Sequence, residues 1–423
     1  MPSINATTEQ VLVQELSGAG MAGTINGTGV VNCPDGFSTG YTDIVLLNLD
    51  ISREFARISA GGPPEPEYVY TICPKTVLNT AIEPLVPLLS NTTFRCGNST
   101  GDIGCIFAGG EAQVMFKDSA VAGYDYETII FQRITFTSFS EVSIAAFASN
   151  QTTARFEGCH WRGFSSQFVV NQTHLQSLGI DRSMTVEIFD SIISTGSGEV
   201  GLSNANGELV VNNLTMTNVA LVSMIATQNN GHTDVTNLLV TQSSSPAMMF
   251  AGSGSTVSVS NTEISDNVAI ADVFFGDGDG TVLTLQDIRV MDNNLPSGWN
   301  VAYVSAQSRA TIVDSVVSNN VNLESGITAT QSAFASVNRT EFRSNVGTAP
   351  NASALVFAIR DSRVDLQGVS FLDNDNYSAS IFAIFQSTFD LSDSCIIGGS
   401  SDMTIYVSDD STYTGVDAAS NYI

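Results

Sequence analysis

The chain has 423 residues and a formal net charge of −27, from 15 basic and 42 acidic side chains, and only Lys75 and Lys117 are lysines. Nucleic acids and anionic membrane surfaces bind proteins through basic patches, so neither is an expected partner. No run of about 18 apolar residues occurs, and no membrane insertion is predicted.

Residues 1–65 are predicted to form an N-terminal cap. The segment 9–16, EQVLVQEL, has the pattern of a short amphipathic helix, which would cover the core and the unpaired strand edges at an open solenoid end. The run 44–51, IVLLNLDI, is predicted to be a strand, and 61–67, GGPPEPE, is predicted to be a loop.

Residues 66–125 are predicted to form the first, irregular coils, with strands in YVYTIC, PKTVLNT, NTTFRCG, GCIFAGG and AQVMFKD. Cys96 and Cys105 flank the turn GNSTGDIG, which suits a local disulfide. Cys33 and Cys73 are predicted to form a second bridge.

Residues 126–423 are predicted to form a regular solenoid, because one pattern recurs there. Its versions are VSVSNTEISDN, LTLQDIRVMDN, ATIVDSVVSNN, ASVNRTEFRSN and VDLQGVSFLDN, which end at Asn267, Asn293, Asn320, Asn345 and Asn374. The steps between these asparagines are 26, 27, 25 and 29 residues. A period of about 20 to 50 residues is typical of a solenoid.

Each version has apolar residues ten, eight and three positions before its final asparagine. The column at eight positions contains Val259, Leu285, Ile312, Val337 and Leu366. Polar residues alternate with the apolar ones, which is the period of a strand. The pattern continues without change of phase to eleven closing positions, from Phe139 to Gly399. Six positions before each closing residue stands Gly, Asp or Asn, with Arg133 and Arg339 as exceptions, and a backbone bend is predicted there. A third strand precedes each version, as in MMFAG, VFFGD, AYVSA, ITATQ, VFAIR and IFAIF.

Three short strands per turn of about 26 residues predict an all-β, single-domain parallel β-helix whose coils advance by one strand spacing, about 4.8 Å. Over about residues 126–400 the pattern resembles the right-handed β-helices of the pectin-lyase-like superfamily, which often stack asparagines in one inner turn. The block before it resembles secreted β-helix repeat proteins of microalgae. In an inward stack, the five asparagines would satisfy polar groups that are otherwise buried unpaired.

The resemblance also implies two kinds of chemistry. Lyases on this fold combine a calcium-binding carboxylate cluster with a basic residue, whereas hydrolases combine paired aspartates, a histidine and an Arg-x-Lys motif, which is absent here. His232, in NNGHTD, is the candidate catalytic histidine, with a polar turn residue as the alternative interpretation. Arg162, Arg182 and Arg289 are the candidate basic residues.

Two acidic features are candidate cation sites. Asp266 and Asp292 precede the asparagine column in neighbouring coils, about 5 Å apart, and a bound cation would relieve their repulsion. Asp277 and Asp279, in FFGDGDGT, have the spacing of calcium loops. The alternatives are solvated turn residues for the first pair and a tight glycine turn for the second. Apart from calcium, no cofactor is expected.

Ten Asn-x-Ser/Thr sequons favour an extracellular or cell-surface location. The glycosylation candidates are Asn91, Asn98, Asn351 and Asn376. Residues 1–20 lack the pattern of a signal peptide, so export would require a signal that has been removed from this sequence.

The predicted function is an extracellular, non-catalytic scaffold that binds a polysaccharide or a cell-surface protein, as a monomer or through end-to-end association. The alternative is a polysaccharide lyase or glycoside hydrolase that acts on an acidic polysaccharide. The alternative requires three or more carboxylates and an Arg or His that converge in a groove, whereas a scaffold leaves them scattered.

Overall fold

A computed structural model describes residues 29–34, 39–97, 104–109, 113–116, 127–137, 142–146, 152–163, 167–172, 184–268, 272–295, 300–347, 354–397 and 405–415. The predictions for the segment 9–16, Arg182, Asn98 and Asn351 lie outside these residues. In the described part of the chain, no helix is long and apolar enough to cross a membrane.

The elements of the first half follow in chain order: β1 (Val31–Asn32), β2 (Thr39–Gly40), α1 (Ile44–Ser59), β3 (Tyr68–Ile72), β4 (Val77–Asn79), β5 (Thr92–Cys96), β6 (Cys105–Ala108), β7 (Val114–Phe116), β8 (Thr128–Gln132), β9 (Ile134–Thr137), β10 (Val142–Ala146), β11 (Thr153–Glu157), β12 (His160–Arg162), β13 (Gln167–Gln172), β14 (Thr185–Ala205) and β15 (Glu208–Gln228).

The second half continues with β16 (His232–Thr241), β17 (Ala247–Gly252), β18 (Thr256–Ser265), β19 (Asp272–Asp277), β20 (Val282–Met291), β21 (Asn300–Ser305), β22 (Arg309–Val313), β23 (Val316–Ser318), β24 (Val321–Leu323), β25 (Ser325–Thr330), β26 (Phe334–Asn338), β27 (Glu341–Arg343), β28 (Val346–Gly347), β29 (Ala354–Ile359), β30 (Arg363–Gln367), β31 (Ser370–Leu372), β32 (Ala379–Ile384), β33 (Thr388–Ser392), β34 (Cys395–Ile397), β35 (Ile405–Val407) and β36 (Thr412–Thr414).

The strands form a right-handed parallel β-helix of about 11 turns, as predicted. Each regular coil has three walls. Wall 1 contains β22, β26, β30 and β33, wall 2 contains β23, β27, β31 and β34, and wall 3 contains β17, β19, β21, β25, β29, β32 and β35. In β16, β18 and β20, walls 1 and 2 form one bent strand.

The apolar columns line the inside of the tube, which confirms the prediction. The register pairs Val259 with Leu285, Leu285 with Ile312, and Ile312 with Val337. All four side chains are buried. Because each side chain packs against its equivalents in the neighbouring coils, removal of apolar surface from water stabilises the whole stack.

The bend between walls 1 and 2 has a left-handed backbone, which explains its composition. The residues with positive φ there are Arg133, Gly158, Asp190, Asn213, Asn237, Asn261, Asp287, Asp314, Arg339, Gly368 and Asp393. Glycine adopts this conformation without steric cost, and Asn and Asp tolerate it better than most residues. Arg339 has a φ of 46°, and its guanidinium binds both carboxylate oxygens of Asp314, at 2.6 and 2.9 Å.

The five predicted asparagines form a buried ladder along the axis. Oδ1 of Asn293 accepts hydrogen bonds from the backbone N and from Nδ2 of Asn267, at 3.1 and 3.0 Å. Nδ2 of Asn293 donates to the carbonyl of Ile264 at 2.8 Å and to Oδ1 of Asn320 at 3.0 Å. The same contacts recur at Asn345 and Asn374, so the ladder satisfies polar groups inside the turn.

The predicted strand at 44–51 is wrong, because this segment lies in helix α1. Asp43 caps the helix by accepting hydrogen bonds from the backbone N of Val45 and of Leu46. Ile44, Leu47 and Ile51 recur at helical spacing and are buried in the same core as the first coils. The helix therefore covers part of the core of the first coils, and the predicted role of residues 9–16 stays a prediction.

Both predicted disulfides are present. Cys33 bonds to Cys73 with a Cα–Cα distance of 5.2 Å, and Cys96 bonds to Cys105 with a distance of 5.4 Å. Parallel pairing already runs from β3 to β5 and on to β8. The division of the chain at residues 65 and 125 stays a prediction.

Candidate functional site

Aromatic side chains line up on the outer surface of wall 3. In successive coils the register pairs Phe250 with Phe275 and Phe275 with Tyr303. Further along, it pairs Phe357 with Phe382, and Phe382 with Tyr406. We call these six side chains the aromatic ladder. Large apolar groups aligned on a surface are informative, because solitary exposed apolar residues are common but aligned ones are not.

The rings of the ladder contact one another along the helix axis. Phe250 and Phe275 stack with centroids 5.5 Å apart, and Phe275 and Tyr303 stack at 5.3 Å with ring planes 2° from parallel. Carbon atoms in contact lie only roughly 3.5–4 Å apart, so parallel rings at this centroid distance must be offset. Five of the six rings are half-buried and Tyr406 is exposed, so part of every ring is accessible to solvent.

A glycine allows the first ring to lie along the wall. A Cβ added to Gly252 would stand 2.8 Å from Cζ of Phe250. Any side chain at that position would therefore displace the ring. The alternation of β17 directs Phe250 outward and its neighbours Met249 and Ala251 into the core.

Thr328 interrupts the ladder and belongs to a chain of polar contacts. It pairs in register with Tyr303 on one side and Phe357 on the other. Its hydroxyl donates to Oδ1 of Asn300 at 2.7 Å. Oδ1 of Asp272 accepts from the backbone N and from Nδ2 of Asn300, at 3.2 and 2.8 Å. We call Asp272, Asn300 and Thr328 the polar chain, and all three are buried.

Three carboxyl groups act electrostatically on this part of wall 3. Burial raises the pKa of Asp272 from its ordinary value of 3.8 to about 6, although the hydrogen bonds that it accepts oppose the rise. Burial, and then the charge of Asp272, raises the pKa of Glu324. Burial, followed by the charges of Asp272 and Asp277, raises the pKa of Tyr303, and Arg360 opposes this rise. Tyr303, the last ring of the first stack, therefore lies within the electrostatic reach of Asp272 and Asp277.

The sequence candidates for catalysis lie elsewhere and apart from one another. His232 begins β16 on wall 1, where its Nε2 is 3.1 Å from Oδ2 of Asp234, and both side chains are about half exposed. Arg289 is exposed on wall 2, in register with Glu263 and Val316. Arg162 is also exposed on wall 2. Catalytic roles for these residues stay predictions.

The acidic candidates occupy turns. Asp266 and Asp292 are exposed and have φ values of 55° and 56°, so the left-handed turn accounts for their residue type. Asp277 accepts a hydrogen bond from the hydroxyl of Ser305, and Asp279 is exposed in the turn between β19 and β20. Across the described ranges, no three His, Cys, Asp or Glu side chains are arranged to hold a metal ion. Calcium binding stays a prediction.

Two of the glycosylation candidates lie within the described residues. Nδ2 of Asn91 donates to Oε2 of Glu127 at 2.8 Å, and Nδ2 of Asn376 donates to the carbonyl of Gly347 at 2.8 Å. A glycan would attach at this nitrogen, so each hydrogen bond would have to be lost or rearranged on modification.

Sequence reasoning missed the aromatic ladder and the polar chain. It recognised the wall 3 strands but did not align them with one another. The signal was present, because MMFAG, VFFGD, AYVSA, VFAIR and IFAIF each have an aromatic residue between smaller or apolar neighbours. Asp272 and Asn300 carried no such signal, since the segments before them differ in length between coils.

No family model and no curated protein matches the chain. Among solved structures, the chain is similar to the A-module of the mannuronan C-5 epimerase AlgE6 from Azotobacter vinelandii, with a TM-score of 0.51 and 11% identity over 92% of this chain and 97% of that one. It is also similar to the AlgE4 A-module from the same organism (TM-score 0.48, 12% identity, 92% and 99% covered). A third similar structure is tailspike protein 3 of bacteriophage CBA120 (0.45, 11%, 98% and 69%).

These likenesses concern the fold. At 11% identity, the similarity to the AlgE6 module shows a shared architecture alone. The chain has the fold of a right-handed parallel β-helix, as its repeat and its resemblance to the pectin-lyase-like β-helices implied.

Proposed function

We propose that this protein is a secreted or cell-surface β-helix scaffold that binds a glycan chain along the outer surface of wall 3. The observation that carries the proposal is the aromatic ladder, in particular the stacked rings of Phe250, Phe275 and Tyr303. The glycan would run parallel to the helix axis, across successive strands.

The chemistry of a sugar ring fits this surface. The face of an aromatic ring is electron-rich, and the C–H groups on one side of a pyranose ring are its complement. On each side of Thr328, three successive coils offer one ring per strand spacing, roughly 4.8 Å, which is close to the length that one pyranose unit adds to an extended glycan.

An extracellular location is supported by the disulfides. Cys33–Cys73 and Cys96–Cys105 both have bonded geometry, and disulfides persist in oxidising compartments. They join the N-terminal segment and the first coils, so they stabilise the end of the tube nearest helix α1.

The proposal is tested by measuring affinity for oligosaccharides with purified full-length protein, by isothermal titration calorimetry. The panel contains neutral and amino-sugar oligomers together with polygalacturonate, alginate and sulfated glycans, each with and without calcium. Phe275→Ala removes the central ring of the first stack and should weaken binding roughly tenfold, which corresponds to about 1.4 kcal/mol.

The matched control is Phe334→Ala. Phe334 is a half-buried, outward-facing aromatic residue on wall 1, beneath the guanidinium of Arg363. Its loss should leave affinity unchanged. If no glycan binds, or if both alanine variants weaken binding equally, the ladder is not the binding surface.

A second candidate function is hydrolysis or elimination at the same place. It is favoured by one observation: Asp272, Asp277 and Arg360 all act electrostatically on Tyr303, and Asp272 also acts on Glu324. Carboxyl groups with raised pKa values are suited to general acid catalysis. Incubation with each polysaccharide, followed by assays for new reducing ends and unsaturated products, tests this function. Activity that is abolished in both Asp272→Asn and Glu324→Gln would establish it.

A further inference from the structure

We infer that the aromatic ladder is specific for a glycan that carries free amino groups, a polymer of glucosamine type, and that it disfavours uronate chains. This inference rests on the proposed glycan-binding function and adds the chemical class of the ligand.

The local charge is negative where the first stack of rings ends. Asp277 lies two residues after Phe275 in β19, and its carboxylate accepts a hydrogen bond from the hydroxyl of Ser305, which lies two residues after Tyr303 in β21. Asp272 and Asp277 both act electrostatically on Tyr303, and Asp272 also acts on Glu324. Arg360 carries a positive charge and opposes the effect of these two carboxylates on Tyr303. A uronate stacked on Tyr303 would bring a further carboxylate toward these groups, whereas an ammonium group would be attracted to them.

Burial makes this field effective. Asp272 is 5% exposed and Glu324 is half-buried, so water screens their charges less than it screens surface carboxylates. An ammonium group also gains from the face of an aromatic ring, to which cations are attracted. An amino sugar thus complements both the rings and the carboxylates, whereas a neutral sugar complements only the rings.

The charge of the whole molecule acts in the same direction. With a formal net charge of −27, the protein attracts cationic polymers and repels anionic ones at long range. Added salt weakens this long-range attraction strongly, whereas it weakens the attraction to the partly buried carboxylates much less. Affinities measured at several salt concentrations therefore distinguish general attraction from recognition at wall 3.

The test compares three oligosaccharides of equal length, a glucosamine hexamer, its N-acetylated form and a galacturonate hexamer, at about pH 7 and physiological salt, so that Asp272, with its pKa of about 6, is mostly ionised. The glucosamine hexamer should bind at least roughly tenfold more tightly than the N-acetylated form, and the galacturonate hexamer should bind most weakly. The double variant Asp272→Asn with Glu324→Gln should reduce the preference for the amine at least fivefold, and affinity for the N-acetylated hexamer should stay close to wild type.

The control is the double variant Asp365→Asn with Asp390→Asn, which removes the same number of charges from wall 1. It should retain the preference. If this control loses as much preference as the double variant at wall 3, or if galacturonate binds as tightly as glucosamine, the inference is wrong. If the N-acetylated hexamer binds equally well and the ladder variant Phe275→Ala weakens it, the scaffold function stands and only the amine specificity fails. If no hexamer binds, the proposed function itself fails.

Discussion

The side chain of Asn293 joins two coils through hydrogen bonds that no apolar residue can replace. We expect Asn293→Ala to lower the free energy of unfolding by about 3 kcal/mol, because it leaves both donors of Asn267 and the carbonyl of Ile264 buried without their partner. Urea denaturation gives the total loss, and hydrogen exchange of β18 and β20 shows whether the loss is local.

The control for this prediction is Asn212→Ala. Asn212 points outward on wall 1, and its Oδ1 accepts one hydrogen bond from the exposed Asn237. Its replacement should cost less than about 0.5 kcal/mol. A similar cost at both asparagines would contradict the role of the buried ladder.

The carboxyl group of Asp272 should make stability depend on pH in the opposite direction from an ordinary ion-paired aspartate. Its pKa in the folded chain is about 6, above the ordinary 3.8, so folding favours the protonated form. As pH rises from about 4 to about 6, the unfolded chain releases this proton while the folded chain keeps it, and stability falls. The loss is complete above pH 6 and amounts to about 3 kcal/mol.

Asp272→Asn isolates this effect, because asparagine keeps an acceptor for Asn300 and does not titrate. The unfolding free energy of the variant minus that of wild type should grow between about pH 4 and pH 6 and then stay constant. Asp287→Asn removes a carboxylate from an exposed turn and corrects for the change in net charge. A difference that is constant over the whole range would show that Asp272 titrates normally.

The sequence predicted some residue roles and not others for a physical reason. The inward columns and the left-handed turns recur in every coil, because packing and backbone geometry impose the same requirement each time. Even the two exceptions, Arg133 and Arg339, keep the positive φ. The polar chain was not predictable, since Asp272 and Asn300 each occur once and are brought together only by the register of β19 and β21.

Helix α1 shows how an element can be misread from a short window. The eight residues 44–51 are mostly apolar, and an apolar run of that length is compatible with a strand or a buried helix. Ile44, Leu47 and Ile51 already have helical spacing, but the other apolar residues of the window obscure it. The spacing becomes clear when the window extends to Phe55 and Ile58, which pack against the core. Asp43 was the available signal, because an aspartate before an apolar segment is a typical helix cap.

The helix should stabilise the first coils and not the distant ones. Leu47 is fully buried, and Leu47→Ala should cost about 3 kcal/mol through lost burial and the cavity that remains. Because stability in a solenoid is transmitted between neighbours, hydrogen exchange should accelerate in β3 and β5 and stay unchanged in β30 and β33. Leu49→Ala, at a position 41% exposed, is the control and should change little. Equal acceleration along the whole tube would contradict a local cap.

At the scale of the whole molecule, each coil presents the same interface to its neighbours. Val321 pairs with Val346, Asn300 with Ser325, and Asn320 hydrogen-bonds to Asn345 in the same way as Asn345 does to Asn374. A complete coil can therefore be removed and the flanking coils joined, because the two new surfaces match. The free energy of unfolding should fall only by the contribution of one coil and its interface.

Two coil deletions should have opposite effects on glycan affinity. Deletion of residues 321–345, a step of 25 residues, removes Thr328 and places Tyr303 next to Phe357, which makes the aromatic ladder continuous. Deletion of residues 294–320, a step of 27 residues, removes Tyr303 and places Phe275 next to Thr328, which shortens the first stack. Both proteins should keep the circular dichroism of a β-helix.

Relative to wild type, the deletion of residues 321–345 should bind a long N-acetylated oligomer about tenfold more tightly, and the deletion of residues 294–320 should bind it about tenfold more weakly. Equal affinity of the two deletions would show that the ring spacing along wall 3 does not determine binding, and unfolding of both would show that the coils are not interchangeable.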